Sequence, residues 1–137
     1  MAGSIGAGLP FASGARVAKP DAPIVSIMGD GTFGFHCAEI DTAIRYKLPF
    51  ILVVGNDARW NAEYQIQVRE YGQERTIGCE LLPSNYEKVC EAFGGYGELV
   101  KESDKVLPAA KKALASKLPA CLNIMIDGLA APNIKRP

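Results

Sequence analysis

A chain of 137 residues, 48% apolar and 22% charged with a formal net charge of +0, has the composition of one globular domain able to bury about two thirds of its unfolded surface. Its scattered charges exclude the basic stripe of a nucleic-acid binder or an anchor for anionic lipid. No apolar run approaches the roughly 18 residues that span a bilayer, and no basic-then-apolar leader opens the chain. We therefore expect no nucleic-acid and no membrane partner. The four cysteines, Cys37, Cys79, Cys90 and Cys121, form no C-x-x-C pair, which argues against zinc and for reduced core thiols in a cytoplasmic protein.

In chain order, a Gly-rich opening with no strand before it reads as a start inside a folding unit. A helix is expected over Pro10–Ala18, stopped by Lys19-Pro20. "APIVSIMGD" is a short continuous apolar run, suited to a strand buried on both faces. "GFHCAEIDTAIRYK" has helical spacing, with Arg45 and Lys47 near its C-terminal end where the dipole favours cations. "LPFILVVGND" is a second buried strand. The polar, aromatic stretch from Ala58 to Ser84 is a long excursion with a short helix near Ala62–Glu70. "PSNYEKVCEAFGG" reads as a helix opened by a capping box of Ser84 and Glu87 and closed by its Gly pair. "YGELV" is a strand, "SDKVLPAAKKALASKL" an amphipathic helix and "ACLNIMIDG" a final buried strand. Strands alternating with helices predict an α/β fold with parallel pairing and right-handed crossovers.

Both early strands stop at an acid: Gly29-Asp30-Gly31 and Gly55-Asn56-Asp57. Ligands in such sheets bind at the carboxyl ends of the strands. The Gly-flanked turn before a helix offers free N–H groups to a phosphate, and an acid beside a phosphate requires a cation between them. Mg²⁺ meets that need, held by one or two carboxylates and by phosphate oxygens. Asn56 or Asp57 supplies the second ligand, and a main-chain carbonyl of the following loop a third. Each motif alone is also an ordinary turn.

The stretch "GDGTFGFHCAEIDTAIRYKLPFILVVGND" resembles the thiamine diphosphate signature, which begins with GDG and ends in two adjacent Asn-like residues. "GSIGAGLPFASGA" before it, "E-I-x-T-A-I-R-x-x-L-P" within it and Trp60 after it are similar to the acetolactate synthase group. The resemblance implies a three-layer parallel sheet with helices on both faces, truncated at the N-terminus, and thiamine diphosphate with Mg²⁺ as cofactors. Carried over, Asp30 would bind Mg²⁺ while Gly29, Gly31 and Thr32 cradle the diphosphate. Asn56 falls on the first Asn of the pair and Asp57 on the metal-binding second, where the acid is a departure from the family. The Arg59 carbonyl would be the third ligand. Ile5 would sit under the cofactor and bend it, and the Gly3 carbonyl would accept a hydrogen bond from its aminopyrimidine.

The family also needs a Glu from a pyrimidine-binding domain, which is absent from residues 1–137. The resemblance therefore implies a single diphosphate-binding domain, inactive alone, that works with a pyrimidine-binding domain or subunit in a dimer or tetramer. Its substrates would be 2-oxo acids or acyl-CoA-type compounds, undergoing decarboxylation or carboligation. A non-catalytic assembly module is the alternative. A dinucleotide site is weaker, because "GAGLPF" lacks the later Gly and follows no strand. His36 reads as a surface histidine, Glu39 as structural and Trp60 as either a pocket wall or an edge cap. Residues 63–75 either fold over the cofactor or form a solvated segment.

Overall fold

A computed structural model describes residues 4–130. Four strands, β1 (Val25–Gly29), β2 (Ile51–Asn56), β3 (Tyr96–Val100) and β4 (Ala120–Met125), form one sheet in the order β1-β2-β4-β3, with every neighbouring pair parallel. The helices are α1 (Gly8–Ala18), α2 (Asp30–His36), α3 (Glu39–Arg45), α4 (Asn61–Tyr71), α5 (Tyr86–Ala92) and α6 (Val106–Ser116). The expected parallel α/β fold with helices on both faces is what forms.

Right-handed crossovers explain the layering. From β1 through β2 to β3 the chain moves one way across the sheet, so α2, α3 and α5 stack on one face. Between β3 and β4 it turns back, which sends α6 to the other. The two cores follow this division. Leu9, Phe33, Ile40, Ala43 and Cys90 pack against Leu52, Val54 and Cys121 on one side. Ala109 and Ala113 of α6 lie on Ile51, Val100, Ala120 and Leu122 on the other. Small residues on α6 let its backbone approach the sheet closely.

Three sequence expectations change. The helix expected over residues 34–47 is two helices, and the first begins at Asp30 itself. Burial on both faces holds for the central β2 but not for β1, whose Val25 and Ile27 are exposed; α6 covers β3, β4 and part of β2 and does not reach β1. The capping box does not form. Asn85 occupies the N-cap of α5 with no side-chain cap hydrogen bond, and Glu87 turns inward (4% exposed). It does so because α5 presses onto β3 at Gly97, where any Cβ would collide with the Glu87 carbonyl. That contact tips the first turn of α5 into the sheet.

Among the described residues no helix is long and apolar enough to cross a membrane. All four cysteines are free thiols. Burial pushes the Cys90 thiol up to about 12 and raises Cys121 as well, so both are protonated core fillers.

Candidate functional site

The register between β1 and β2 places Gly29 opposite Gly55, so Asp30 and Asn56 leave the sheet side by side. Above them lies a cleft of about 650 Å³, within the size range of small-molecule sites. Its apolar floor is Ile27, Val53, Ile124 and Ile126, and its rim carries Ile5, Gly29, Asp30, Gly31, Thr32, Asp57, Arg59 and Trp60. Ile5, three residues of the first turn and the acid of the second are thus brought together over the strand ends. Gly3 lies outside the described residues.

Asp30 is 1% exposed. Its Oδ1 accepts the Gly31 N–H at 2.9 Å, while Oδ2 is buried with no hydrogen-bond partner. Burial raises its pKa above the ordinary carboxylate value, and the nearby charge of Asp57 adds to the rise. The N–H groups of Gly31, Asp30 and Arg59 pull the other way. A buried carboxylate oxygen without a donor costs about 1–3 kcal/mol, and a cation at that point removes the cost. Two acids beside one another at a strand edge fit a hard divalent ion in the same way. Among the described residues no cluster of three or more His, Cys, Asp or Glu forms, so such an ion would take its remaining ligands from backbone and from a bound anion.

Arg59 supplies a backbone candidate. It pairs with Glu80 as an isolated antiparallel bridge, whose hydrogen bonds run from Trp60 N–H to the Cys79 carbonyl (2.8 Å) and from Leu81 N–H to the Ala58 carbonyl (2.7 Å). That pattern leaves the N–H and C=O of Arg59 itself facing away from Glu80. The guanidinium lies 4.4 Å from the Tyr64 ring centroid.

Trp60 lines the cleft. Its indole meets Phe35 edge-on at 5.6 Å and packs on Gly31, where a Cβ would come within 2.8 Å of the ring. The excursion folds as a lobe. Gln67 of α4 clamps the backbone of Ile77 with its Oε1 accepting at 2.8 Å and its Nε2 donating at 3.2 Å. Asn61 Nδ2 donates to the Leu129 carbonyl at 2.8 Å. Asn61, Ala62 and Glu63 face the cleft, whereas Tyr64 is the only buried residue of α4.

Asn56 turns away from the cleft. It is fully buried; its Nδ2 donates to Asn123 Oδ1 (3.0 Å) and the Ser84 carbonyl (3.1 Å). Asp57 is therefore the acid of this pair at the rim. His36 does more than expected of a surface residue: its Nδ1 lies 3.0 Å from the Gly6 carbonyl and fastens the turn that carries Ile5. Nothing local in the sequence signalled that contact, since its partner is 30 residues away. Asn123 did leave a signal, a polar residue inside the apolar run "ACLNIM".

Residues 1–124 match the family described as thiamine pyrophosphate enzyme, C-terminal TPP binding domain. The chain is 37% identical over 126 residues to a probable acetolactate synthase of Mycobacterium bovis, covering 91% of this chain and 23% of that protein. It is 35% identical over 129 residues to the human 2-hydroxyacyl-CoA lyase 2, covering 90% of this chain and 20% of that one. A thiamine diphosphate-dependent 4-hydroxybenzoylformate decarboxylase of Rhodococcus jostii RHA1 superposes with a TM-score of 0.79 at 26% identity, over 90% of this chain and 23% of that one. The chain thus spans about a fifth to a quarter of the length of these relatives.

Proposed function

The chain belongs to the thiamine pyrophosphate enzyme family as a C-terminal TPP-binding domain, and on that premise we propose that its cleft holds thiamine diphosphate through Mg²⁺. In this reading Asp30, Asp57 and the Arg59 carbonyl grip the metal. Gly29, Gly31 and Thr32 receive the diphosphate, Ile5 supports the cofactor from below, and the carbonyl of Gly3, two residues earlier in sequence, accepts a hydrogen bond from its aminopyrimidine. Asn56 contributes from behind the site rather than as a ligand. The observation that carries the reading is the orphaned Oδ2 of buried Asp30 beside the second acid, Asp57, which a bound cation satisfies without rearrangement.

When bound, thiamine diphosphate supplies the carbon centre that attacks an acyl carbonyl and stores the electron pair released when a bond to that carbonyl breaks. This chain's residues bind and orient. The acids neutralise the metal, the turn fixes the diphosphate and the apolar floor keeps water from the reacting end. We propose decarboxylation or carboligation on 2-oxo acids or acyl-CoA-type substrates, supported by the names of the relatives. The activating Glu would come from a pyrimidine-binding domain or subunit, and active sites between chains would make the enzyme a dimer or tetramer. Four free cysteines suit a reducing, cytoplasmic setting.

Thermal melting with thiamine diphosphate, with and without Mg²⁺, tests the site. At a hundred times its dissociation constant the cofactor adds about 2.7 kcal/mol. The rise is expected only with Mg²⁺ and not in Asp30→Ala. A rise that needs no Mg²⁺, or that survives Asp30→Ala, overturns the ligand set.

A further inference from the structure

Beneath the loop that presents Asp57 runs a closed polar relay through the core. Glu87 of α5 is 4% exposed, and Asn123 of β4 and Asn56 of β2 are fully buried. Asn123 Nδ2 donates to Glu87 Oε2 at 2.8 Å and to the Ser84 carbonyl at 3.0 Å. Asn56 Nδ2 donates to Asn123 Oδ1 and to the same Ser84 carbonyl. Asn56 Oδ1 then accepts the N–H of Ala58 at 3.2 Å. Resting on the Mg²⁺ site proposed above, we propose that Glu87 and Asn123 are positioning residues that fix the Asp57 carboxylate, acting through Asn56 and Ala58.

The relay has a direction. Each Asn amide carries two hydrogens, and all four find acceptors. Asn123 spends both on Glu87 and Ser84, which leaves its oxygen for Asn56. Asn56 spends both on Asn123 and Ser84, which leaves its oxygen for Ala58. Flipping either amide sets donor against donor in a dry interior, where an unmatched polar group costs about 1–3 kcal/mol. Glu87 ends the chain at a carboxyl oxygen and so sets the order of the rest.

What the relay holds is a backbone that would otherwise relax. Ala58 sits at φ 54°, a left-handed conformation that costs a residue with a Cβ roughly 1–2 kcal/mol. Asp57 lies between the two residues the relay pins, Asn56 and Ala58. The Ala58 carbonyl is held in turn by Leu81. A core with no task of this kind would be filled at lower cost by apolar side chains of the same volume.

The test uses the ligand-free chain and its cofactor titration together. In Glu87→Leu, which removes the acceptor that ends the relay at similar volume, the Ala58 amide should exchange with solvent about tenfold faster, the loss of roughly one hydrogen bond's protection, with the Leu122 amide unchanged. The Mg²⁺ concentration for half of the thiamine diphosphate-dependent change in Trp60 fluorescence should rise about tenfold; Trp60 is the only tryptophan. Cys90→Ala, a core variant off the relay, should lower the melting temperature and leave both readouts alone. If Glu87→Leu does not fold, Asn123→Ala, which empties the middle of the relay without adding bulk, is read the same way. Parent-like exchange and Mg²⁺ dependence in the relay variant overturn the proposal, as do equal shifts in Cys90→Ala. A parent chain with no Mg²⁺-dependent change defeats the cofactor reading instead, and Ala58 exchange then decides the relay alone.

Discussion

In the proposed site Asp30 serves binding at the expense of stability. Its carboxylate is buried, raised in pKa and short of one partner. We expect Asp30→Asn to melt higher than the parent in EDTA, by about 1 kcal/mol, because it removes a desolvated charge while keeping the oxygen that accepts the Gly31 N–H. The same variant should lose the Mg²⁺-dependent cofactor shift. A lower melting point in EDTA would mean that the acid is structurally required. At this scale the sequence was informative wherever a residue type was unusual for its place. Asp30 and Asp57 could be picked out because two acid-bearing Gly turns end consecutive apolar strands, although either one alone is an ordinary turn. His36 and Glu87 could not, because their roles come from contacts with Gly6 and Asn123, which are distant in sequence.

At the scale of elements, β3 and α6 are joined by Glu98, whose Oε1 accepts from Lys112 Nζ at 2.8 Å and whose Oε2 accepts from the Tyr96 hydroxyl. The Lys112 and Tyr96 hydrogen bonds lower its pKa. A lowered acid contributes stability above its unfolded value, near 4.5, and loses it as pH falls through the folded value. Lys112→Met should therefore cost about 0.5 kcal/mol at pH 7, as befits a pair whose lysine is exposed to solvent, and the difference should shrink toward zero in acid. Urea unfolding at both pH values measures it, and a difference that persists in acid would assign the effect to packing. Element types were readable from periodicity, since strands buried in the sheet and an amphipathic α6 leave plain patterns. The ends were not. The helix after Gly31 starts at Asp30 and breaks before Glu39, and the N-terminus of α5 was misread because Gly97 lets the helix press Glu87 inward, a tertiary contact that overrides the local capping signal.

For the whole molecule, the parallel pairing and the placing of the acids at one sheet edge were accessible from the alternation of strands and helices, whereas the strand order β1-β2-β4-β3 was not. The uncovered face of β1 was not, since it depends on how far α6 reaches across the sheet. We expect the isolated chain to bind cofactor yet release no carbon dioxide from pyruvate in a continuous assay with thiamine diphosphate and Mg²⁺. Adding a separately produced pyrimidine-binding domain of a relative is the complementation that would restore turnover. Steady turnover by the chain alone would show that the activating group lies within residues 1–137.

The strand order has a further consequence, for how the chain is made. β4 follows β3 in sequence but lies between β2 and β3 in the sheet. As the chain emerges from the ribosome, β2 and β3 have no shared partner until residues 120–125 are free. During that interval each presents an open edge of the kind that pairs with foreign strands. Synthesis from β2 up to β4 is thus a period in which nascent copies are exposed to mispairing, and insertion of β4 covers the facing edges of β2 and β3.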